Sequence, residues 1–484
     1  MIKNFKWLLL VSLTLVACSS DDEAVVNPDS SDGLPLTAGS ADFSKYVALG
    51  DSFAAGFSDN ALFIEGQKGA YPNILAQQFA LVGGGEFTTP LMADNVGGFL
   101  GSSTYFPRLY LAPPTTPGGS PSPSSVALPP YSQTSSTTFA SLGSTFNNMG
   151  IPGAKVTHLL AAGYGSSAGN PYFARFASNP ATTVLADALA QNPTFFSLWI
   201  GGNDVLGYAT SGGLNPADIT APSTFDTAYN TLASQLAAGG RKGVVANLPY
   251  VSTLPYFTTV PYNPVPLDAA TAAQLNAGYT TYNNGLLFAQ SNGLLSAAEV
   301  AQRTISFSAS STNKVVIVDE YLTNLTGFGI PSYRQATSED LIVLSARNFI
   351  GTTVGGNPLQ VNGISVPLAD QWVLSKNEIE EVRIATDAYN QTIQTAATNN
   401  DLAFVDAKAI MTQLSTVGIT ANNFTLNSTY VTGGAFSLDG VHPSPRGYAL
   451  IANEFLKSIN TKYGSNIKGV SFADYRIMFP PVLP

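Results

Sequence analysis

Short apolar runs alternate with longer amphipathic stretches along most of the chain. "YVAL" (46–49) ends abruptly in Gly50-Asp51-Ser52, and "PTFFSLWI" (193–200) breaks at Gly201-Gly202. "KGVVANLP" (242–249) and "LAFVD" (402–406) have the same character. These runs are continuously apolar, without the alternation of a half-exposed strand, so they predict strands buried on both faces. Between them lie helical patterns. "YPNILAQQF" has Pro72 near its start, "FDTAYNTLASQLAAGG" stops at glycines, and "LSKNEIEEVRIATDAYNQTIQTAATNN" is long and amphipathic. The last, "HPSPRGYALIANEFLKSINTKYG", has Ser444 placed as N-cap and Pro445 in the first turn. "FNNMGIPGAKVTHLLAAG" predicts a strand end, a glycine turn and a helix. Strands alternating with helices imply a parallel sheet covered on both faces, with the working loops at the carboxyl ends of the strands. Gly50-Asp51-Ser52, Gly153, Asn203 and the loop after Asn247 all fall there.

Two long stretches interrupt this rhythm, near 82–145 and 250–372. The segment from Leu111 to Ser136 is loop by composition, rich in Pro, Ser and Thr. The second stretch contains an echo. The segment from Leu267 aligns without gaps on that from Leu374, matching Leu267, Tyr282, Asn283 and Ala289 to Leu374, Tyr389, Asn390 and Ala396. Each leads into a Val-Asp strand end, which suggests a duplicated helix–strand unit that would require both segments to be helical.

The chain has 484 residues and is 45% hydrophobic, ample for a core, but only 11% charged. Its net charge of −10 and lack of Lys/Arg clusters exclude a nucleic-acid partner. The amino-terminal "MIKNFKWLLLVSLTLVACSS" has two lysines and then an apolar run from Trp7 to Ala17, with signal-peptide proportions. Leu15-Val16-Ala17-Cys18 resembles a bacterial lipobox, which implies cleavage before Cys18 and lipidation of its thiol. "SSDDE" after it resembles the acidic export tag of Bacteroidetes lipoproteins. The expected organisation is a signal peptide (1–17), a flexible tether (18–40) and one domain (41–484) with the two insertions, lipid-anchored to the outer membrane and facing outward. Cys18 is the only cysteine, so neither a disulfide nor a cysteine metal site can form.

A serine hydroxyl needs a base before it can attack, most often histidine. The chain has two histidines. His158 sits within a helical pattern, where packing is its ordinary role. His442 lies in "SLDGVHPSPRGY", three positions after Asp439, so one short loop can present both side chains. The carboxylate can accept from Nδ1–H and leave Nε2 facing a serine. Gly153 N–H, the Asn203 side-chain amide and Ser52 N–H are candidate donors to an oxyanion.

"GDSF", "NMGIPGA", "GGND" and "DGVHP" occur in that order and resemble the four blocks of the SGNH/GDSL hydrolases. The resemblance spans about Phe43 to Tyr463. It matches Ser52, Gly153, Asn203 and His442 to the four naming residues and Asp439 to the triad acid. Phe53 stands where leucine is usual, and the blocks are spread apart by the insertions. The resemblance implies a three-layer α/β/α sandwich of flavodoxin-like type with about five parallel strands. It also implies ester or thioester hydrolysis without metal or cofactor. A lipase or carboxylesterase is the first reading. A carbohydrate O-deacetylase, or a non-catalytic surface-binding lipoprotein that kept the fold, are the alternatives. A metal-dependent phosphoesterase is disfavoured, because two histidines in separate blocks do not make a ligand cluster.

Overall fold

The computed structural model describes residues 29–99, 106–115, 119–126, 142–143, 145–166 and 168–483. The expected signal peptide, Cys18 and the start of the tether lie outside these. Five strands form one parallel sheet: β1 (Tyr46–Gly50), β2 (Asn148–Gly150), β3 (Phe195–Trp199), β4 (Lys242–Ala246) and β5 (Ala403–Val405). Their spatial order is β2-β1-β3-β4-β5, the flavodoxin-like order. Every residue of β1 and β3 is buried, as the unbroken apolar runs require. The one polar pair inside, Tyr46 Oη with Ser197 Oγ at 2.7 Å, satisfies itself.

Helices cover both faces. Tyr71–Ala80 packs on Pro445–Tyr463 in one layer, and Pro222–Ala237 on Lys376–Asn399 in the other. The closing helix is capped as its sequence indicates, Ser444 Oγ accepting from Gly447 N at 3.0 Å. Among the described residues no helix is long and apolar enough to cross a membrane. From Asp29 to Ala41 the chain lies against the end of this helix. Asn466 receives Thr37 N on its side chain and Ser31 N on its carbonyl.

Two local expectations are corrected. His158 does not lie in an α-helix but in a single 3₁₀ turn, Val156–Leu160, because its ring nitrogen takes the Lys155 N–H and closes the turn early. At the start of the stretch read as loop and overlapping it, Leu109–Ala112 pairs antiparallel with Ser122–Ser125. That ladder has no apolar alternation. It is seeded by its flanks, where Leu109 N donates to Asp59 O and Val126 N to Arg108 O.

The two similar segments are both helical, Ala269–Ser291 and Lys376–Asn399. Their matched residues do matched work. Asn283 clamps Ile305 through both its backbone groups, and Asn390 clamps Leu248 likewise. Tyr282 donates to the Tyr333 carbonyl and Tyr389 to that of Thr220. The strand after the first helix, Val316–Val318, pairs with Tyr333–Gln335 outside the main sheet. Its Val316 and Ile317 nevertheless join the same buried cluster as β1 and β3.

Candidate active site

The turn after β1 is built by Asp51. Its side chain accepts from Phe53 N at 3.0 Å and so starts the four-residue helix Ser52–Ala55, with Ser52 first. Burial pushes the Asp51 carboxyl up to about 7, although the Phe53 N–H and His442 pull it down. The helix rests directly on β2. A Cβ at Gly150 would lie 2.2 Å from Ala55 N, so this strand end must be glycine. Asn148, one turn of the pleat earlier, donates to Ala54 O at 2.9 Å and accepts from Gly150 N.

At the other end of the chain, Gly440 turns the backbone at φ +73 between Asp439 and His442. Its carbonyl accepts from Tyr256 N, a residue of the second insertion. His442 Nε2 lies 2.8 Å from Ser52 Oγ, and Nδ1 lies 3.0 Å from Asp439 Oδ2. Asp439 also accepts from Val441 N and His442 N on Oδ1, each at 2.8 Å, and from Asn60 N on Oδ2 at 2.9 Å. Burial works against its charge, but the imidazole and these N–H groups prevail and hold the carboxyl below its ordinary range.

β1 lies between β2 and β3, so Ser52 stands between the turn carrying Gly153 and the helix begun by Asn203. Asn203 Nδ2 donates to Ala154 O at 3.0 Å, which pins its amide beside that turn. Among the described residues, the backbone N–H groups of Ser52 and Gly153 meet no protein acceptor. His158 is not part of this group. Its ring stacks on Tyr164 at 4.6 Å, and burial, then Lys155, lowers its pKa.

Sequence reasoning missed the clamp that joins the two ends of the chain. Ser58 Oγ donates to Pro443 O, Asp59 N to Ser437 Oγ, Leu438 N to Asp59 Oδ1, and Tyr448 Oη to Phe57 O. Asp59 and Asn60 both have positive φ, at 49° and 65°. Asp-Asn tolerates that conformation, and that was the available signal. Behind Phe53 and Pro443, the chain neighbours of Ser52 and His442, lies an apolar cavity lined also by Trp199, Leu254, Phe436, Leu450 and Phe455, but not by Ser52, Gly153, Asn203, Asp439 or His442 themselves. The Phe53 ring, part of the cavity wall, lies 5.1 Å from Trp199 and 5.5 Å from His442.

Residues 46–455 match the family model of the GDSL-like lipases/acylhydrolases, and the chain belongs to that family. It is a carboxylic ester hydrolase. No curated protein sequence matches it. Among solved structures, Axe2, an acetylxylan esterase from Geobacillus stearothermophilus, is similar at 12% identity and a TM-score of 0.34, covering 87% of this chain and 95% of its own. An extracellular lipase from Streptomyces rimosus is similar at 12% identity and 0.32, covering 87% and 99%. Phospholipase A1 from Streptomyces albidoflavus NA297 is similar at 13% and 0.29, covering 87% and 100%. Overlaps this loose leave the assignment resting on the family model and on the sheet order.

Proposed function

We propose that the chain is a serine esterase of the lipase/carboxylesterase type, with Ser52 as nucleophile, His442 as base and Asp439 as its orienting acid. The reading is carried by the continuous hydrogen-bonded line from Ser52 Oγ through the imidazole to Asp439. His442 Nε2 takes the Ser52 proton as Oγ attacks the acyl carbonyl. The negative charge that develops on the carbonyl oxygen is held by the Ser52 and Gly153 N–H groups and the Asn203 amide. The imidazolium gives its proton to the leaving alkoxide, and the alcohol departs from an acyl-Ser52. Water, deprotonated by His442, then attacks that ester. The proton returns to Oγ as the carboxylic acid leaves. Asp439 keeps Nδ1 protonated and balances the imidazolium charge. Asp51 caps the turn and takes no proton in this scheme.

The cavity beside Phe53 favours acyl chains over acetylated glycans. Glu454 is its one charged lining residue, and its other walls are apolar side chains, prolines and a glycine. Such walls receive methylene groups well and hydroxyls poorly. We further propose that Cys18, following Leu15-Val16-Ala17, carries the lipid that anchors the enzyme to the outer face of the outer membrane.

The test is labelling by a fluorophosphonate together with hydrolysis of p-nitrophenyl esters of rising chain length and of acetylated xylan. The wild type should be labelled and should prefer the longer acyl esters. Ser52→Ala and His442→Ala should lose both activities, while His158→Ala keeps them. Substantial turnover by Ser52→Ala would refute the mechanism, and a preference for acetylated xylan would refute the substrate class.

A further inference from the structure

Three carboxylates from separate segments meet at the edge of the second insertion. Glu320 follows the strand Val316–Val318, Asp370 opens a 3₁₀ turn, and Glu378 lies in the first turn of Lys376–Asn399. One oxygen from each lies within 4.8 Å of the others. Two Ca–O bonds of roughly 2.3–2.6 Å each span about that distance. The neighbouring cations are committed elsewhere. Arg334 pairs with Asp319 and Asp340, and Lys376 with Glu339.

The second observation is a stranded oxygen. Glu378 is only 1% exposed. Its Oε2 accepts from Ser375 N at 2.6 Å and closes a capping box. Its Oε1, buried, has no hydrogen-bond partner among the described residues. A Cβ at Gly213 would stand 2.0 Å from that oxygen, so only glycine lets the carboxylate pack against this loop. Like charges this close, one of them buried, need a counterion or a shared proton.

We propose that Glu320, Asp370 and Glu378 bind one calcium ion. The donors are all oxygen, the choice of a hard cation. Glu320 is exposed, so water can complete a coordination shell of six to eight oxygens. Magnesium, with bonds of roughly 2.0–2.1 Å and a strict octahedron, suits this spread less well. The ion would tie the insertion to the start of Lys376–Asn399 and to the Gly212-Gly213 loop. That loop ends the helix Asn203–Thr210, whose first residue is the Asn203 of the active site. Calcium would therefore steady an oxyanion donor from the far end of its helix, without touching substrate.

The experiment uses the full chain, stripped with a chelator, with terbium(III) and calcium as probes. Tyr321 adjoins Glu320 and can sensitise terbium emission. We expect one saturable terbium site displaced by calcium, and a rise in Tm of about 3 °C with calcium a hundredfold above its Kd. Glu320→Gln, at an exposed position, and Asp370→Asn should each weaken binding at least about tenfold. Three results would overturn the proposal. One is no terbium signal and no calcium-dependent Tm in the wild type. Another is undiminished binding in both variants. The third is a Glu378→Gln protein stabilised in chelator while calcium leaves the wild type unmoved, the signature of a shared proton only.

Discussion

Replacing Asp439 by asparagine isolates what the carboxylate does for His442. Four donors converge on it: Val441 N and His442 N on Oδ1, and Asn60 N and His442 Nδ1 on Oδ2. Asparagine keeps one oxygen, so it can serve only one of these pairs. If its NH₂ takes the Oδ1 place, two backbone N–H groups at 2.8 Å lose their acceptor. Buried donors left unpaired cost about 1–3 kcal/mol each, about 2–6 kcal/mol for that orientation. If the NH₂ takes the Oδ2 place, only Asn60 N is stranded, provided that Nδ1 becomes an acceptor. The second orientation is cheaper, and it moves the imidazole proton to Nε2, which then donates to Ser52 Oγ and cannot remove its proton. Asp439→Asn should therefore fold, lose little stability because the one stranded donor, Asn60 N, is exposed and can turn to water, and drop in kcat by on the order of 10⁴ with KM little changed. Initial rates on a short-chain p-nitrophenyl ester, beside urea unfolding, measure both. A kcat within tenfold of wild type in a folded protein would refute this reading of Asp439.

Asn203→Ala should lower kcat by about 10²–10³ with KM and Tm nearly unchanged, because it removes a donor to a charge that develops only in the transition state; a change confined to KM would contradict that. Gly150→Ala sets a methyl 2.2 Å from Ala55 N and should cost about 1–3 kcal/mol as the Ser52 helix lifts, while an unchanged urea midpoint would contradict the contact. Asp59→Asn should change how stability depends on pH. Burial pushes Asp59 up to about 7 against the Leu438 N–H, helped by Asp439 and opposed by Arg108. The folded chain then holds a proton that the unfolded chain releases near about 4, so stability falls as pH rises from about 4 through about 7. The variant should gain on wild type at pH 8, by up to about 4 kcal/mol, and not at pH 4; equal differences at both pH values would argue against a buried Asp59 charge.

Most of the sheet was legible because four of its five strands lie in apolar runs, two of them ending in Gly-Asp or Gly-Gly, a pattern that depends on local sequence alone. Ser52, Asp439 and His442 were legible because two histidines left little choice of base. The helical repeat was visible in Tyr282-Asn283 and Tyr389-Asn390, whose side chains turn out to grip neighbouring backbone in the same way. What could not be read is what depends on distant partners. Nothing near Asp59 in sequence announces Leu438, and nothing near Gly440 announces Tyr256. The paired strands at Leu109 and Ser122 have no period of their own, and their partners decide them. Glu320, Asp370 and Glu378 are unremarkable acids until the fold brings them together.

The clamp between Phe57–Asn60 and Ser437–Tyr448 has a consequence for the order of assembly. Its hydrogen bonds bridge residues up to 391 positions apart, among the longest separations in the chain, and such contacts are made late because loop closure opposes them. A ribosome completes the Ser52 turn early and reaches His442 only near the end of synthesis. Until the last helix docks, Ser52 has no partner to take its proton. On the proposed mechanism, a growing or half-folded chain is thus an inert precursor, and the esterase switches on only when its two ends meet.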